Sequence, residues 1–264
     1  MIEMNKFIFF ICVLIIGYSL ISFLNTTNIF NTELFENQQY KYKYKYGILI
    51  CCYNRPEFLK QTFNSLKQSN LDNSIIYIID DKSTDQETIN LINNFEINNI
   101  EIIKHTNDTN QGIQNNIKNG YDFLNRKRCE YITNIDSDVI MKKNWLPKLE
   151  ETYKSIDTSN DITTHKFILT GFNTTQHSHK IYKTYDNFYE KKNIGGINHF
   201  FHNSLFGEID SKLNKQKYDH WDNRLCEYCL QNNIGLFCTK PSVIQHIGKT
   251  GLNSGAIYDY AEDF

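Results

Sequence analysis

The sequence is poor in proline, with 3 in 264 residues, while Tyr reaches 17, Phe 18, and Asn, Ile and Lys are visibly abundant. That bias fits a very AT-rich genome, such as that of a protist or a large DNA virus. It makes Asn, Tyr and Lys weak witnesses to function, because base composition alone supplies them. Neither charge dominates: Lys plus Arg is 28, Asp plus Glu is 30, and the net charge is -2. With no basic stripe, a nucleic-acid groove is not expected. No Gly-rich phosphate loop precedes the first predicted helix, which counts against a nucleotidyltransferase. Of the 7 cysteines, Cys226 and Cys229 form a lone Cys-X-X-Cys with no second pair, so a zinc site is not expected either. Cys12 falls in an apolar run, and some of the other six could pair in an oxidising lumen, with no readable connectivity.

Charge is missing altogether from Phe7 to Leu24. The run is as long as the roughly 17–25 residues that cross a bilayer core. No Ala-X-Ala cleavage site follows, so an uncleaved signal anchor is expected, with cleavage as the second choice and a buried core helix as the third. Lys6 precedes the run and no basic residue follows until Lys41. That asymmetry predicts a single-pass type II protein with its body lumenal or exterior, in an ER- or Golgi-like or virion-associated membrane. The expected organisation is an anchor over 1–24, a stem over 25–45 and one domain over 46–264, long enough for a real core. The alternation "YKYKYKY" from Tyr40 to Tyr46 reads either as an edge strand guarded by lysines or as stem running into the first strand. Asn25, Asn107 and Asn173 are Asn-X-Thr sequons, open to glycosylation if the body is lumenal.

From Tyr46 onward strands and helices alternate. "YGILICCY", "SIIYIIDD", "IEIIKH" and "EYITNID" are short apolar runs suited to buried parallel strands. Arg55 and Pro56 end the first, and Phe58, Leu59, Phe63 and Leu66 follow at helical spacing. "STDQET" carries a helix N-cap signature. The expected fold is α/β, a mainly parallel sheet flanked by helices on both faces. Ligands of such sheets gather at the carboxyl ends of strands, where Tyr53, Asp80, Asp81, Asp136 and Asp138 fall. In extended chain Asp136 and Asp138 project to one side, an oxygen site for a hard divalent cation. The competing reading is an Asx-type turn in which both bond their own backbone.

Taken in order, "ILICCYNRPEFLKQTFNSL", "YIIDDKSTD", "NQGIQNNIKNG" and "NIDSDVIM" resemble the nucleotide-sugar half of family 2 glycosyltransferases with the GT-A, Rossmann-like fold. The chain departs from that family at Asp80-Asp81-Lys82-Ser83, where Asp-Asp-Gly-Ser is usual, and at Asn116-Ile117-Lys118, where an Ala-Arg-Asn run is common. The resemblance implies that Tyr53 stacks on the base and that Asp81 accepts from its ring N–H. It implies that Asp136 faces ribose and metal and Asp138 binds Mn²⁺ or Mg²⁺ directly, with Arg55 among the nucleotide-sugar contacts. It also implies that Gly195 and Gly196 lie beside the donor sugar, against an ordinary turn as the alternative. Asp222 sits where relatives carry a base, with Trp221 in place of the usual Glu, against helix capping; for Asp219 capping is expected. His246 is expected as a further metal ligand, and Lys249 and Ser254 near the diphosphate, whereas His177, His179, His199 and His202 lack such a setting. The whole predicts a membrane-anchored, metal-dependent, inverting transferase taking a UDP-sugar to an acceptor hydroxyl of a glycan, protein or lipid. The alternatives are a retaining enzyme and an inactive surface protein on the same fold.

Overall fold

Four apolar runs become parallel strands, β1 (Tyr44–Cys52), β2 (Ser74–Asp80), β3 (Glu101–Thr106) and β4 (Cys129–Asp136), hydrogen-bonded in the order β3-β2-β1-β4. The computed structural model describes residues 42–174, 181–213, 220–249 and 258–264. The Phe7–Leu24 run, the stem up to Lys41, Asn25, His177, His179, Asp219 and Ser254 lie outside them. Among the described residues no helix is long and apolar enough to cross a membrane.

Three helices connect the parallel strands: α1 (Pro56–Lys67), α2 (Gln86–Asn93) and α3 (Ile113–Arg126). α1 opens on Pro, whose fixed φ and missing N–H suit a first helical position. α2 opens on the expected cap, Asp85 accepting from the Thr88 N–H at 2.7 Å. The chain continues through β5 (Val139–Met141), α4 (Trp145–Asp157), β6 (Phe167–Thr170), β7 (Ile181–Thr184), β8 (Phe188–Lys191), β9 (Asn198–His202), α5 (Phe206–Leu213), α6 (Trp221–Gln231), β10 (Gly235–Thr239) and β11 (Ile244–His246). Beyond β4 the sheet is mixed, in the order β4-β9-β6-β10-β8-β7, and β5 pairs separately with β11.

Each face of the sheet carries its own core. Ile48 and Ile50 of β1 pack with Leu59 and Phe63 of α1, Ile92 of α2 and Trp145 of α4. Leu49, one position out of phase, packs on the opposite face with Ile117 and Tyr121 of α3, Ile209 of α5 and Leu225 of α6. Burial on both faces is why β1, β2 and β4 read as unbroken apolar runs; β3 lies at the sheet edge and is half-buried to exposed, which corrects the buried strand expected there. The strands are close-set on α3: a Cβ on Gly120 would stand 2.3 Å from Leu49.

The Tyr–Lys alternation enters β1 at Tyr44, and β1 lies between β2 and β4, not at an edge. Its hydroxyls and ammonium groups reach carboxylates across the domain. Tyr44 Oη bonds Glu101, and Tyr46 Oη bonds Glu150, which also takes Lys45 at 2.7 Å and Lys154 at 2.6 Å. The six described cysteines are all free thiols. Two sequons are occupied by the fold itself. Asn107 is buried with Nδ2 donating to Asp81 and Asn116, and buried Asn173 accepts from Lys191.

Glu150 gives the fold a testable acid dependence. Burial acts to raise its carboxyl, but the bonds to Lys154, Lys45 and Tyr46 outweigh it and hold the pKa at about 2. An unfolded Glu titrates near 4.3, so the stabilisation is whole above about pH 4 and is lost as pH falls toward the folded value. The stability gap between wild type and Glu150→Gln, measured by urea unfolding, should therefore narrow below about pH 4. A gap of equal size at pH 3 and pH 7 would contradict this.

Candidate active site

The strand order reverses direction between β1 and β4: β2 and β3 were added on one side of β1, β4 on the other. The loops that leave the two carboxyl ends part there and open a crevice. Cys51 of β1 pairs with Asp136 of β4, so Tyr53, Asn54 and Arg55 emerge beside Asp136 and Asp138.

On the β1 side the backbone is strained. Asn54 (φ 54°) and Arg55 (φ 64°) are both left-handed. Asn tolerates this region, but for Arg it costs on the order of 1–3 kcal/mol and persists only where neighbours enforce it. The enforcement comes from the loop after β2. Asn54 donates its N–H to Ser83 Oγ at 2.8 Å, and its Oδ1 accepts from the N–H groups of Thr84 (2.9 Å) and Asp85 (3.0 Å). Arg55 is thereby aimed at Asp138, with Nη1 2.9 Å from Oδ2 and the guanidinium 4.6 Å over the Phe58 ring. Its Nε and Nη2 are buried and have no partner among the described residues. Tyr53 stays partly open, 36% exposed.

Asp80 and Asp81 do different work. Asp80 accepts from Ser83 N–H at 3.0 Å and closes its own loop. Asp81 is buried and takes the N–H groups of Gln111 (2.7 Å) and Gly112 (2.9 Å) and Nδ2 of Asn107 (2.8 Å). It fixes the loop that starts α3, where Gly112 has φ 81°. Asn116, at the site of the departure from the family pattern, is buried and tied to Asn107 at 2.8 Å.

Asp136 ends β4, but Ser137 and Asp138 form a turn and not a continued strand. The two carboxylates meet across a bend, which corrects the extended-chain geometry expected for them. β5 leaves that turn and pairs antiparallel with β11, placing His246 opposite Val139. His246 Nε2 then lies 3.3 Å from Asp138 Oδ2. Burial, then the charge of Asp138, push the Asp136 carboxyl well above the ordinary range. Burial acts the same way on Asp138, but the bond and charge of His246 and the charge of Arg55 hold it below. For His246 burial acts downward, and the bond to Asp138 outweighs it and raises the imidazole.

Gly248 faces this cluster. A Cβ there would stand 2.0 Å from Asp138 Oδ2, 2.7 Å from His246 Nε2 and 2.8 Å from Arg55 Nη2. The glycine keeps a cradle clear where a carboxylate oxygen and an imidazole nitrogen converge. Among the described residues no three His, Cys, Asp or Glu side chains close around one point. Lys249 is exposed nearby, its Nζ 5.6 Å from the Tyr258 ring.

The other wall is the Gly195–Gly196 turn and α6. Gly195 has φ 64°, and a Cβ on Gly196 would stand 3.0 Å from Trp221 and 3.2 Å from Asp222. Asp222 sits in the first turn of α6, after the N-cap residue His220, so it is not the cap. Its charge acts on Asp136 and on His199. The turn is held by groups that sequence reasoning passed over. Asn134 Nδ2 donates to Gly196 O (2.9 Å), Gly195 N–H donates to Asn193 Oδ1 (2.8 Å), and His199 Nε2 meets Gly195 O at 2.6 Å. Asn193 also donates to Asn223 Oδ1 at 2.7 Å, tying the turn to α6. The structure thus brings Arg55, Asp136, Asp138, His246, Gly196 and Asp222 to one crevice, with Tyr53 and Lys249 at its exposed margins.

The sequence model of the family described as Glycosyl transferase family 2 matches residues 47–214. No curated protein matches the chain in sequence. Solved structures similar in fold include S. aureus TarS 1-349 in complex with UDP-GlcNAc, at 16% identity and TM-score 0.57, covering 81% of this chain and 61% of that one. The same TarS piece in complex with UDP is 15% identical with TM-score 0.52, covering 74% and 60%. A longer TarS structure is 15% identical with TM-score 0.53, covering 74% and 36%. The chain therefore spans about a third to three fifths of those TarS chains.

Gly248→Ala tests the cradle. The fold should persist, with a loss of no more than about 1–3 kcal/mol for the added methyl, but Asp138 and Arg55 must move off. The imidazole resonances of His246 should shift strongly from those of wild type. Unchanged resonances in a folded variant would mean that the cluster has room to spare.

Proposed function

The chain belongs to glycosyl transferase family 2, and from that premise we propose that it transfers a sugar from a nucleotide-sugar donor, UDP-linked, to an acceptor hydroxyl with inversion. The observation that carries this reading is the meeting of Asp138, Arg55 and His246 in the crevice between β1 and β4. A nucleoside diphosphate is densely anionic, and carboxylates cannot hold it unaided. Asp136, Asp138 and His246, which do not close around one point in the protein alone, would have to draw together to hold a divalent cation, and the cation would offset charge on the diphosphate leaving group. The two buried, unspent nitrogens of Arg55 supply further donors to diphosphate oxygens. Lys249, on the exposed margin, adds charge at the same end.

Tyr53 offers an open ring for the base, and Asp81 keeps lone-pair capacity on Oδ2, which takes only the Gly112 N–H among the described bonds. Gly196 leaves space for the sugar between Asp136 and α6. Asp222 lies on the far side of that glycine, where a carboxylate can accept the proton of an attacking hydroxyl. Displacement from that side inverts the anomeric carbon. The uncharged Phe7–Leu24 run supports attachment to a membrane, with a glycan, protein or lipid as acceptor.

Two variants test the assignment. Asp138→Ala should abolish Mn²⁺-dependent stabilisation by UDP in a thermal-shift titration, measured as the shift over the variant's own melting temperature, which is itself lowered because Arg55 loses its partner. UDP binding that survives in this variant with EDTA present would sink the cation reading. Asp222→Asn should keep donor binding and melting but lower turnover by about 10²–10⁴-fold, the usual worth of a general base. Near-normal transfer would remove Asp222 from the chemistry and favour a retaining course.

A further inference from the structure

Residues 258–264 return across β11 and touch His246 on several sides. Tyr258 stacks its ring on the imidazole at 5.9 Å and donates its hydroxyl to the His246 carbonyl at 2.5 Å. The Asp259 carbonyl lies 3.0 Å from His246 Nδ1. Gln245, next in the chain, exchanges two bonds with Ala261, donating to its carbonyl at 2.9 Å and accepting from its N–H at 2.8 Å. The segment is also anchored from the other side. Ala261 pairs with Thr174, whose hydroxyl donates to the Asp259 carboxylate, and Ser242 donates to Asp263 at 2.5 Å. Thr174 is itself fixed by Lys191, which is 2% exposed and donates to Thr174 O (2.8 Å) and Asn173 Oδ1 (2.7 Å).

We propose that residues 258–264 are a positioning strap for His246, in which the Asp259 carbonyl holds the Nδ1–H and aims Nε2 at the Asp138 cradle, where it donates to the carboxylate until a cation takes the place of its proton. This rests on the reading of His246 as a cation ligand given above. A carbonyl oxygen can only accept, so Nδ1 must carry a hydrogen in either charge state of the ring. Nε2, which donates to Asp138 Oδ2 at 3.3 Å, is then the nitrogen a cation would take on loss of that proton. A partner on the far ring nitrogen fixes both tautomer and ring direction, and its loss commonly weakens metal binding about 10–100-fold. Asp259 acts through its backbone and touches no substrate, so it is a positioning residue. Stacking by Tyr258 restrains the ring plane, and the Gln245–Ala261 and Thr174–Asp259 bonds hold the carbonyl at its station.

The test uses the full chain with Thr174→Val and Gln245→Leu combined, which removes the side-chain anchors, and a second protein that lacks residues 258–264. Long-range ¹H–¹⁵N spectra of the cation-free protein follow hydrogen exchange of the His246 Nδ1–H. Mn²⁺ titration of the UDP-bound protein reads the affinity. In wild type the Nδ1–H should be protected from exchange. In the double variant that protection should be lost, with Mn²⁺ affinity down about 10–100-fold. Tyr258→Phe, which leaves the Asp259 carbonyl in place, should retain the wild-type protection. A folded double variant with unchanged Nδ1–H protection, or with unchanged Mn²⁺ affinity, overturns the proposal, whether or not the shortened protein folds. If wild type binds UDP equally with and without Mn²⁺, the cation reading fails on its own, and Nδ1–H exchange still decides the strap.

Discussion

Asp138 holds a negative charge almost out of water, and segments far apart in sequence converge to compensate it. A buried carboxylate left alone costs several kcal/mol or takes up a proton. Here a guanidinium from the end of β1 and an imidazole 108 residues beyond Asp138 both reach the same Asp138 oxygen. The left-handed backbone at Arg55, the Asn54 brace onto the β2 loop and the separate β5–β11 pair all serve that meeting. For Asp136 burial, and after it the charge of Asp138, outweigh the pull of His246 and Arg55, and its carboxyl is driven upward.

The parallel half was legible because its physics is local and periodic. Strands buried on both faces must be continuous apolar runs, and helices between them must repeat at 3.6 residues, so β1, β2, β4 and α1 to α3 could be read in order, with β3 found as a strand but exposed at the sheet edge. The strand-end carboxylates followed from the rule on where such sheets bind. The half beyond β4 was harder. β7 and β8 form an antiparallel pair of four residues each, and β7 is exposed throughout, so no apolar pattern marks it. The bend at Ser137 stood only as the competing reading, since Asp-Ser-Asp is compatible with both strand and turn. His246 could be placed from its motif, but the segment that clasps it carries no signal in sequence, because its key contact is a backbone carbonyl.

Asparagine was the costliest omission. Its abundance made it easy to attribute to base composition, yet buried Asn107, Asn116, Asn134 and Asn198, with Asn54 and Asn193, tie the loops of the site together. An amide both donates and accepts, so one side chain can join two backbone segments whose polar groups would otherwise be orphaned. Asn134 does this within one residue's reach, accepting from Tyr121 Oη and the His199 N–H while donating to Gly196 O. His199 was set aside for want of a motif and is instead a buried prop beneath the glycine turn. Its burial lowers its basicity and keeps the ring neutral, which suits support and not ligation.

The pairing of β5 with β11 also sets an order of assembly. A ribosome makes this chain from β1 toward β11, and every strand of the parallel half is synthesised before residue 137. Arg55 is therefore available to Asp138 early in synthesis, whereas His246 joins only after the mixed half has emerged and β11 has found β5. During that interval Asp138 has one cationic neighbour and not two. A chain stalled or clipped between the two events would carry the carboxylates of the crevice and lack its imidazole.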